Sequence, residues 1–482
     1  MAALTGICSI GLKSLAAALA IVGNAAVGSA LAADGLPPCL QCIAVRLEHP
    51  TVVRGPSDHE PDAPISVIKL PDGSFRGFIG GGTTLAVDGA TPVALSGPAR
   101  AVLKPGPPGS QSDCGRWITT AMQGFGVLYG LIHNETRCNE PNGTYQWMSI
   151  AQSRDYGLTW NILGPIITDE GGEVARPESE GDCTAVDGHD GYWYAYCMRR
   201  RDNKLIVARA PIENPVPGQW MKWSGRGWNA PGLGSAGAGL IGNVGTSSAY
   251  WTEGNVILLV APSASFRLSI SEDKVHFATV AEPLILYDED NWQRPAPMDL
   301  YAYPSMVADQ GFNNIGDHFF LTYMYVPPGE DFSQRYLVVQ EAWIRASAEP
   351  QFPQVRTALS RWVDSDGRTW TTTGPTIAPG HSYSYSGNLG YLMTAPPPQN
   401  TGVKLDECYS DETGIGFLAE AGRCAAEGSK RRRPAGYAFS SAQSGTDPLY
   451  DCTFENNAHF VSKRPDCESK GVRGSLLGFA LQ

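Results

Sequence analysis

The sequence predicts an all-β chain: a β-propeller of about five blades, followed by a small disulfide-tied, β-rich repeat domain. Three observations carry this expectation. Long helical periodicity is absent, and short apolar-aromatic runs alternate with turn residues in a chain holding 55 Gly, 36 Pro, 12 Trp and 19 Tyr. The runs form about five clusters between residues 65 and 375, the layout of radially repeated four-stranded sheets and more than one β-sandwich needs. A polar-aromatic octet recurs in weaker form at distant points, which argues for a repeated unit.

Residues 1–32 are read as a secretory signal peptide. Lys13 is the only charge before Asp34, the apolar run "SLAAALAIVGNAAVGSALA" follows it, and Ala30-Leu31-Ala32 closes it as a cleavage site. No later stretch has the uninterrupted apolar length of a membrane span, so a soluble, secreted protein (extracellular or periplasmic) is expected. The formal charge of -12 becomes -13 once Lys13 leaves. Such a surface repels phosphate backbones, which excludes nucleic acid as a partner. It also disfavours highly sulfated or uronic polymers unless the charge is segregated.

Eleven cysteines are present, and Cys8 lies in the leader. An even remainder in an exported chain suggests disulfides. Local spacing suggests Cys183–Cys197, Cys408–Cys424, Cys452–Cys467 and Cys114–Cys138. Cys39 and Cys42 follow Pro37-Pro38 rather than a strand, so their C-x-x-C reads as a structural tie rather than a redox motif.

The propeller domain is assigned to 33–375. Its strand clusters are "PISVIKL" with "FRGFIGG", then "GVLYGLIHN" with "YQWMSIAQS", then "CTAVDG", "YWYAYCMRR" and "KLIVARAP". "SSAYWTE", "VILLVAPS" and "RLSISED" come next, and "FFLTYMYVP" with "YLVVQEAWI" closes the series. The octet "SRDYGLTW" (Ser153 to Trp160) follows the second cluster. An Asp carboxylate can accept the N–H groups of a tight turn, Gly157 can adopt positive φ, and Trp160 can anchor the next strand. Asp155 is therefore structural. "VDSDGRTW" (Val363 to Trp370) echoes the octet with Ser365 in the Asp slot. "SEDKVHF" (Ser271 to Phe277) echoes it without the glycine.

The octet looks like the Asp box of sialidases and related β-propeller proteins, whose Asp boxes lie on outer turns. The layout from about 60 to 375 is similar to five-bladed glycosidases of the arabinanase and xylosidase type. That resemblance implies acidic residues on the inner strands of early blades, meeting at the channel.

The tail, 376–482, repeats itself. Residues 405–439 align with 449–481, and Gly390-Tyr391 begins a further fragment ahead of them. Each full unit holds its own cysteine pair. The module resembles the Cys-framed "HF…C…LLGY" repeats appended to exported bacterial proteins, and is a candidate for contact with a cell surface or glycan. "APPP" at Ala395 to Pro398 reads as a stiff spacer, and "KRRR" at Lys430 to Arg433 as a solvated charge cluster.

Nucleophile, zinc-protease and phosphate-loop motifs are absent, and the eight histidines show no metal-ligand spacing. No cofactor is expected, and a structural or central Ca2+ stays open. Carboxylates at strand starts remain, and paired carboxylates are how most glycosidases work. By position, the resemblance places Asp62 as base, Asp182 or Glu180 as acid, and Glu135 as the residue that tunes pKa. Trp117, Trp147, Trp193 and Trp251 are candidates for stacking on sugar faces, against a place in the blade core. His133 is read either as lining the channel or as satisfying a strand-end carbonyl. Glu253 is assigned to a hairpin turn. The expected function is hydrolysis of a polysaccharide or oligosaccharide. The alternatives are a glycan-binding propeller without turnover, a sialidase, or a polysaccharide lyase. The sialidase reading is disfavoured by a missing Arg-Ile-Pro motif, and no pattern assigns Arg116, Arg154 or Arg176 to it.

Overall fold

The computed structural model describes residues 39–482 apart from 59–60, 139–143, 172–178, 243–245, 252–254, 262–264, 289–290, 379–380, 455–457 and 471. The leader, Arg176, Glu253 and the side chain of Trp251 lie outside the described residues.

The described chain is almost all strand. β1 (Ile43–Ser57) precedes a first sheet of β2 (Ser66–Lys69), β3 (Phe75–Gly81), β4 (Thr83–Gly89) and β5 (Arg100–Leu103). The second sheet holds β6 (Gly115–Gly124), β7 (Val127–Thr136), β8 (Tyr145–Ser153) and β9 (Asn161–Ile167). The third holds β10 (Glu180–Asp187), β11 (Tyr192–Arg199), β12 (Lys204–Pro211), β13 (Met221–Trp223) and β14 (Trp228–Pro231). The fourth holds β15 (Thr246–Trp251), β16 (Val256–Val260), β17 (Ser265–Ser271), β18 (Ala278–Thr279) and β19 (Ile285–Leu286). The fifth begins with β20 (Leu300–Ala308); β21 (Asn314–Ile315) crosses back to pair with β15, and β22 (His318–Val326) and β23 (Arg335–Ala346) follow.

The first strands β2, β6, β10, β15 and β20 touch in succession, and β20 returns to β2. Each junction between sheets is an apolar core. Phe78 meets Ala121, and Ile150 meets Trp193. Tyr196 meets Leu258, Phe266 meets Tyr323, and Val307 meets Val67. Each fully buried side chain of this size contributes about 1.5–3 kcal/mol. The arrangement is a β-propeller. Its ring is closed by β1, which pairs antiparallel with β23 as the outer strand of the last sheet.

The repeat module continues that sheet. β24 (Val355–Val363) runs parallel to β1, and β25 (Thr369–Thr372) and β26 (Ser384–Met393) complete a first unit. β27 (Gly402–Ser410), β28 (Ile415–Glu420) and β29 (Lys430–Phe439) form the second unit, and β30 (Thr446–Thr453), β31 (His459–Ser462) and β32 (Val472–Leu481) the third. The same break in register follows Leu359↔Gly390, Leu405↔Gly436 and Leu449↔Gly478. All three glycines have φ between 130° and 145°, backbone that a β-carbon resists. The fragment at Gly390-Tyr391 is thus the end of a full first unit that lacks cysteines and starts at Val355.

Five disulfides form among the described residues, in the pairing that local spacing suggests: Cys39–Cys42, Cys114–Cys138, Cys183–Cys197, Cys408–Cys424 and Cys452–Cys467. Such a set suits an oxidising compartment. Among the described residues no helix is long and apolar enough to cross a membrane.

The octet closes on itself. Asp155 accepts the N–H groups of Leu158 and Thr159 at 3.1 and 2.9 Å and the hydroxyls of Ser153 and Thr159, both at 2.7 Å. Gly157 sits at φ 84°, where a β-carbon would strike the Phe78 ring. Asp273 closes the "SEDKVHF" turn through the N–H groups of Val275 and His276. In "VDSDGRTW" the turn is closed by Asp364, which accepts from Asp366 and Arg368 N–H, rather than by the Ser365 position that sequence alignment selects. Asp155→Ala strands two turn N–H groups, and it is expected to lower stability by about 1–3 kcal/mol in chemical denaturation.

KRRR is solvated only at its start. Lys430 and Arg431 are exposed, whereas Arg432 and Arg433 are buried where β29 faces the propeller. Arg431 makes paired bonds to Asp288, and Arg432 lies over the Trp370 ring at 4.6 Å. Arg433 is buried between Asp299 of the propeller (3.3 Å) and Glu407 of the module (3.0 Å).

Candidate active site at the propeller axis

Three sheets send carboxylates toward the axis from their strand starts and ends. Asp62 precedes β2 and is held by its N–H on the Gly80 carbonyl. Glu135 ends β7, and Asp182 lies near the start of β10. His133 stands between the last two. Its Nε2 is 3.1 Å from Glu135 Oε1, and its Nδ1 is 3.6 Å from Asp182 Oδ1 and accepts the Asp182 N–H at 2.9 Å. That backbone bond holds the neutral ring in its Nε2–H tautomer, with Glu135 as acceptor. Gly181 permits the approach, since a β-carbon there would lie 2.7 Å from His133 Cε1.

The electrostatics follow from crowding. Burial opposes charge on Asp62, Arg335 at 3.3 Å counteracts it, and Glu135 and Asp182 add repulsion; the carboxyl is pushed up to about 6. Burial opposes charge on His133 as well, but Asp182 and Glu135 outweigh it and raise its pKa. Glu135 stays ionised: burial would raise it, yet bonds from His133 and the Gln146 amide (2.9 Å) hold it below the ordinary value.

Tyr303 of β20 sits among the same groups. Burial first, then Asp62, Asp182 and Glu135, drive its phenol well above the usual range. Asp182 and Tyr303 share an unusual backbone, at φ 47° and 51°, and both lie where the register of an inner strand breaks. Non-glycine residues in this region are strained and cluster at functional sites. Two buried polar atoms beside the cluster, Trp117 Nε1 and Gln146 Oε1, lack a hydrogen-bond partner among the described residues. Trp117 tilts against His133 at 5.3 Å.

The structure thus brings together Asp62, Glu135, Asp182, His133 and Trp117. It places three other candidates elsewhere. Glu180 is buried on Lys222 at 2.6 Å, whose ammonium also bonds the Thr168 and Ser235 carbonyls. Trp193 is 1% exposed in the core between the second and third sheets. Trp147 donates its indole N–H to the Gln111 carbonyl at 2.6 Å. Sequence reasoning missed Arg335, Tyr303 and Gln146. Arg335 opens β23, Asp182 lies near the start of β10 and Asp62 lies shortly before β2, and this placement near strand starts is the signal that could have found it.

A rim surrounds Arg335. Its guanidinium lies 4.7 Å over Phe332, which approaches the exposed Trp292, and Trp292 in turn meets Tyr303 edge-on. Arg294 pins this rim by donating to the carbonyls of Met298, Pro327 and Glu330. A separate cleft of about 690 Å³ lies between the fifth sheet and the module, lined by Tyr336, Tyr409 and Arg432 and by none of the axial acids. The described residues present no group of three or more His, Cys, Asp or Glu arranged to hold a metal ion.

A carboxyl whose pKa is raised by folding adds stability below its unfolded value, and that stability is lost as pH rises through the folded value. Asp62 therefore stabilises the protein least above about pH 6. The melting temperature of Asp62→Asn relative to the wild type is expected to be higher at about pH 8 than at about pH 4, as differential scanning calorimetry would show.

No family model matches the chain, and no curated protein matches it. Among solved structures it is similar to the catalytic domain of a GH62 alpha-L-arabinofuranosidase from Coprinopsis cinerea, at 11% identity, covering 63% of this chain and 98% of that one, with a TM-score of 0.43. It is similar to a family 117 glycoside hydrolase of Zobellia galactanivorans at 10% identity, covering 65% and 94%, with a TM-score of 0.43. It is also similar to an alpha-L-arabinofuranosidase from Lactobacillus brevis at 14% identity, covering 65% and 92%, with a TM-score of 0.40.

Proposed function

We propose that the protein is an exported glycoside hydrolase acting on a polysaccharide or oligosaccharide at the propeller axis. The observation that carries the reading is the convergence of Asp62, Glu135 and Asp182, from three sheets, around His133 and Tyr303. Asp62 takes a proton from water as the water oxygen bonds to the anomeric carbon. Asp182 gives a proton to the glycosidic oxygen as its bond to that carbon breaks. A base of pKa about 6 is mostly ionised near neutral pH yet still accepts a proton readily. Glu135, kept charged by His133 and Gln146, stands across the His133 ring from Asp182 and fixes that ring in place. The unpartnered Trp117 indole N–H and Gln146 carbonyl are suited to sugar hydroxyls.

The test is release of reducing sugar from a panel of polysaccharides by the wild type, Asp62→Asn and Asp182→Asn. Release by the wild type and loss in both variants is expected. Equal release by all three would remove the site assignment. Binding without release would make the axis a lectin site.

A further inference from the structure

A second site stands on the outer face of the fifth sheet, apart from the axis and independent of the catalytic reading. β23, β1 and β24 are neighbours there, and Ile344, Ile43, Val45, Leu47 and Val355 turn into the core. Alternation along the strands therefore presents Trp343, Arg345, Ala44, Arg46 and Arg356 outward. The register sets Arg46 opposite Trp343 on one side and opposite Arg356 on the other, with Ala44 opposite Arg345.

Like charges in cross-strand register are destabilising, and sequences that break such a rule do so mostly at functional sites. One carboxylate offsets three guanidiniums. Glu48 lies 3.2 Å from Arg46 Nε and also accepts the Tyr391 hydroxyl at 2.7 Å. Arg345 and Arg356 have no ion-pair partner among the described residues. Burial lowers the pKa of Arg356, and Arg46 and Arg345 add to that, while Tyr391 and Glu48 oppose it.

These side chains line a groove of about 300 Å³, bordered by Gln351, Phe352 and Pro353. Arg46 is braced over the Trp343 ring at 4.2 Å and Arg356 over Tyr391 at 5.1 Å, so both forks are held rather than free. Phe352, 43% exposed, supplies an uncovered apolar face at the rim. Positive charge is thus gathered in this groove of a chain whose formal charge is -12, while Glu341, the next outward residue of β23, pairs with His318 beyond it.

We propose that this groove binds an anionic saccharide, a sugar bearing carboxylate or sulfate groups. Arginine forks match the paired oxygens of such groups, and the aromatic rim matches the sugar face. A nucleic acid would share the charge, but its extended phosphate array would meet the acidic surface beyond the groove.

The experiment is isothermal titration of the full chain with heptagalacturonate, a sulfated galactan tetrasaccharide, xylohexaose and a short single-stranded DNA. An acidic saccharide is expected to bind, and to weaken about tenfold or more between low and moderate salt. The uronate and sulfate arms separate the two sources of charge. Arg345→Ala and Arg356→Ala are each expected to weaken binding about tenfold. Arg345 is exposed, so its variant reports even if Arg356→Ala fails to fold. Arg345→Ala is expected to weaken binding while keeping the reducing-sugar release of the wild type, which separates this site from the axis. Failure of both acidic probes to bind the wild type would overturn the proposal. So would unchanged binding by both arginine variants, or DNA or xylohexaose binding with the same arginine dependence.

Discussion

Asparagine at position 62 is expected to cut sugar release by about 10²- to 10⁴-fold, the range for removing a general base. The side chain keeps its size and its reach toward Arg335, so the loss should fall on kcat more than on KM. In the wild type, kcat/KM should rise with pH through about 6, as Asp62 ionises. In Asp62→Asn that limb should vanish. An unchanged acidic limb in the variant would mean that another group titrates, and the role assigned to Asp62 would fall.

Arg433→Ala is expected to lower stability by about 3–5 kcal/mol, the cost of leaving buried partners unpaired. Arg433 is enclosed by Asp299, Tyr301 and Glu407 and donates to the Pro375 carbonyl at 3.0 Å. Its removal leaves two carboxylates, from opposite sides of the boundary between propeller and module, with only the more distant Arg432 to balance them, at 4.0 Å from Asp299 and 3.8 Å from Glu407. Glu407 keeps the Trp370 indole at 2.9 Å, and Asp299 keeps the Tyr325 hydroxyl at 2.6 Å, but neither neutralises charge. Urea unfolding would show the loss. Limited proteolysis should release the module first, since Arg433 and Arg431 both reach across to the propeller. Replacing Arg432, Arg433, Asp299 and Glu407 together with apolar residues of similar volume should recover much of the stability, because packed apolar residues often match a buried ion network. Wild-type stability in Arg433→Ala would show that the network is not what joins the two parts.

Glu180 and Asp182 show where sequence reading stopped. Two residues apart on a strand, they should share a face, so periodicity cannot separate them. The register break between Gly181 and Thr184, with Asp182 at φ 47°, turns one to the axis and leaves the other on Lys222. Tyr303 was illegible for the same reason, since its strand breaks register there too. KRRR reads as solvated charge because adjacent cations rarely share a buried place, and that holds for the exposed Lys430 and Arg431. Arg432 and Arg433 are buried beside Asp299, which lies more than a hundred positions away in the chain.

The sequence by itself determined what depends on near neighbours. Those are the alternation that makes strands, the turns closed by Asp155 and Asp273, and the cysteine pairs joined within a short span. The spacing of the two cysteine-bearing repeats belongs with them. These features are set by local sterics and short loops, which a string of residues displays directly. The tertiary structure alone decided which carboxylates meet at the axis, that Arg335 joins them, and that three arginines line up on one outer face. Those outcomes hang on how distant strands lie in register, and a single bulge or one strand carried from the N-terminus to the last blade resets which side chains face each other.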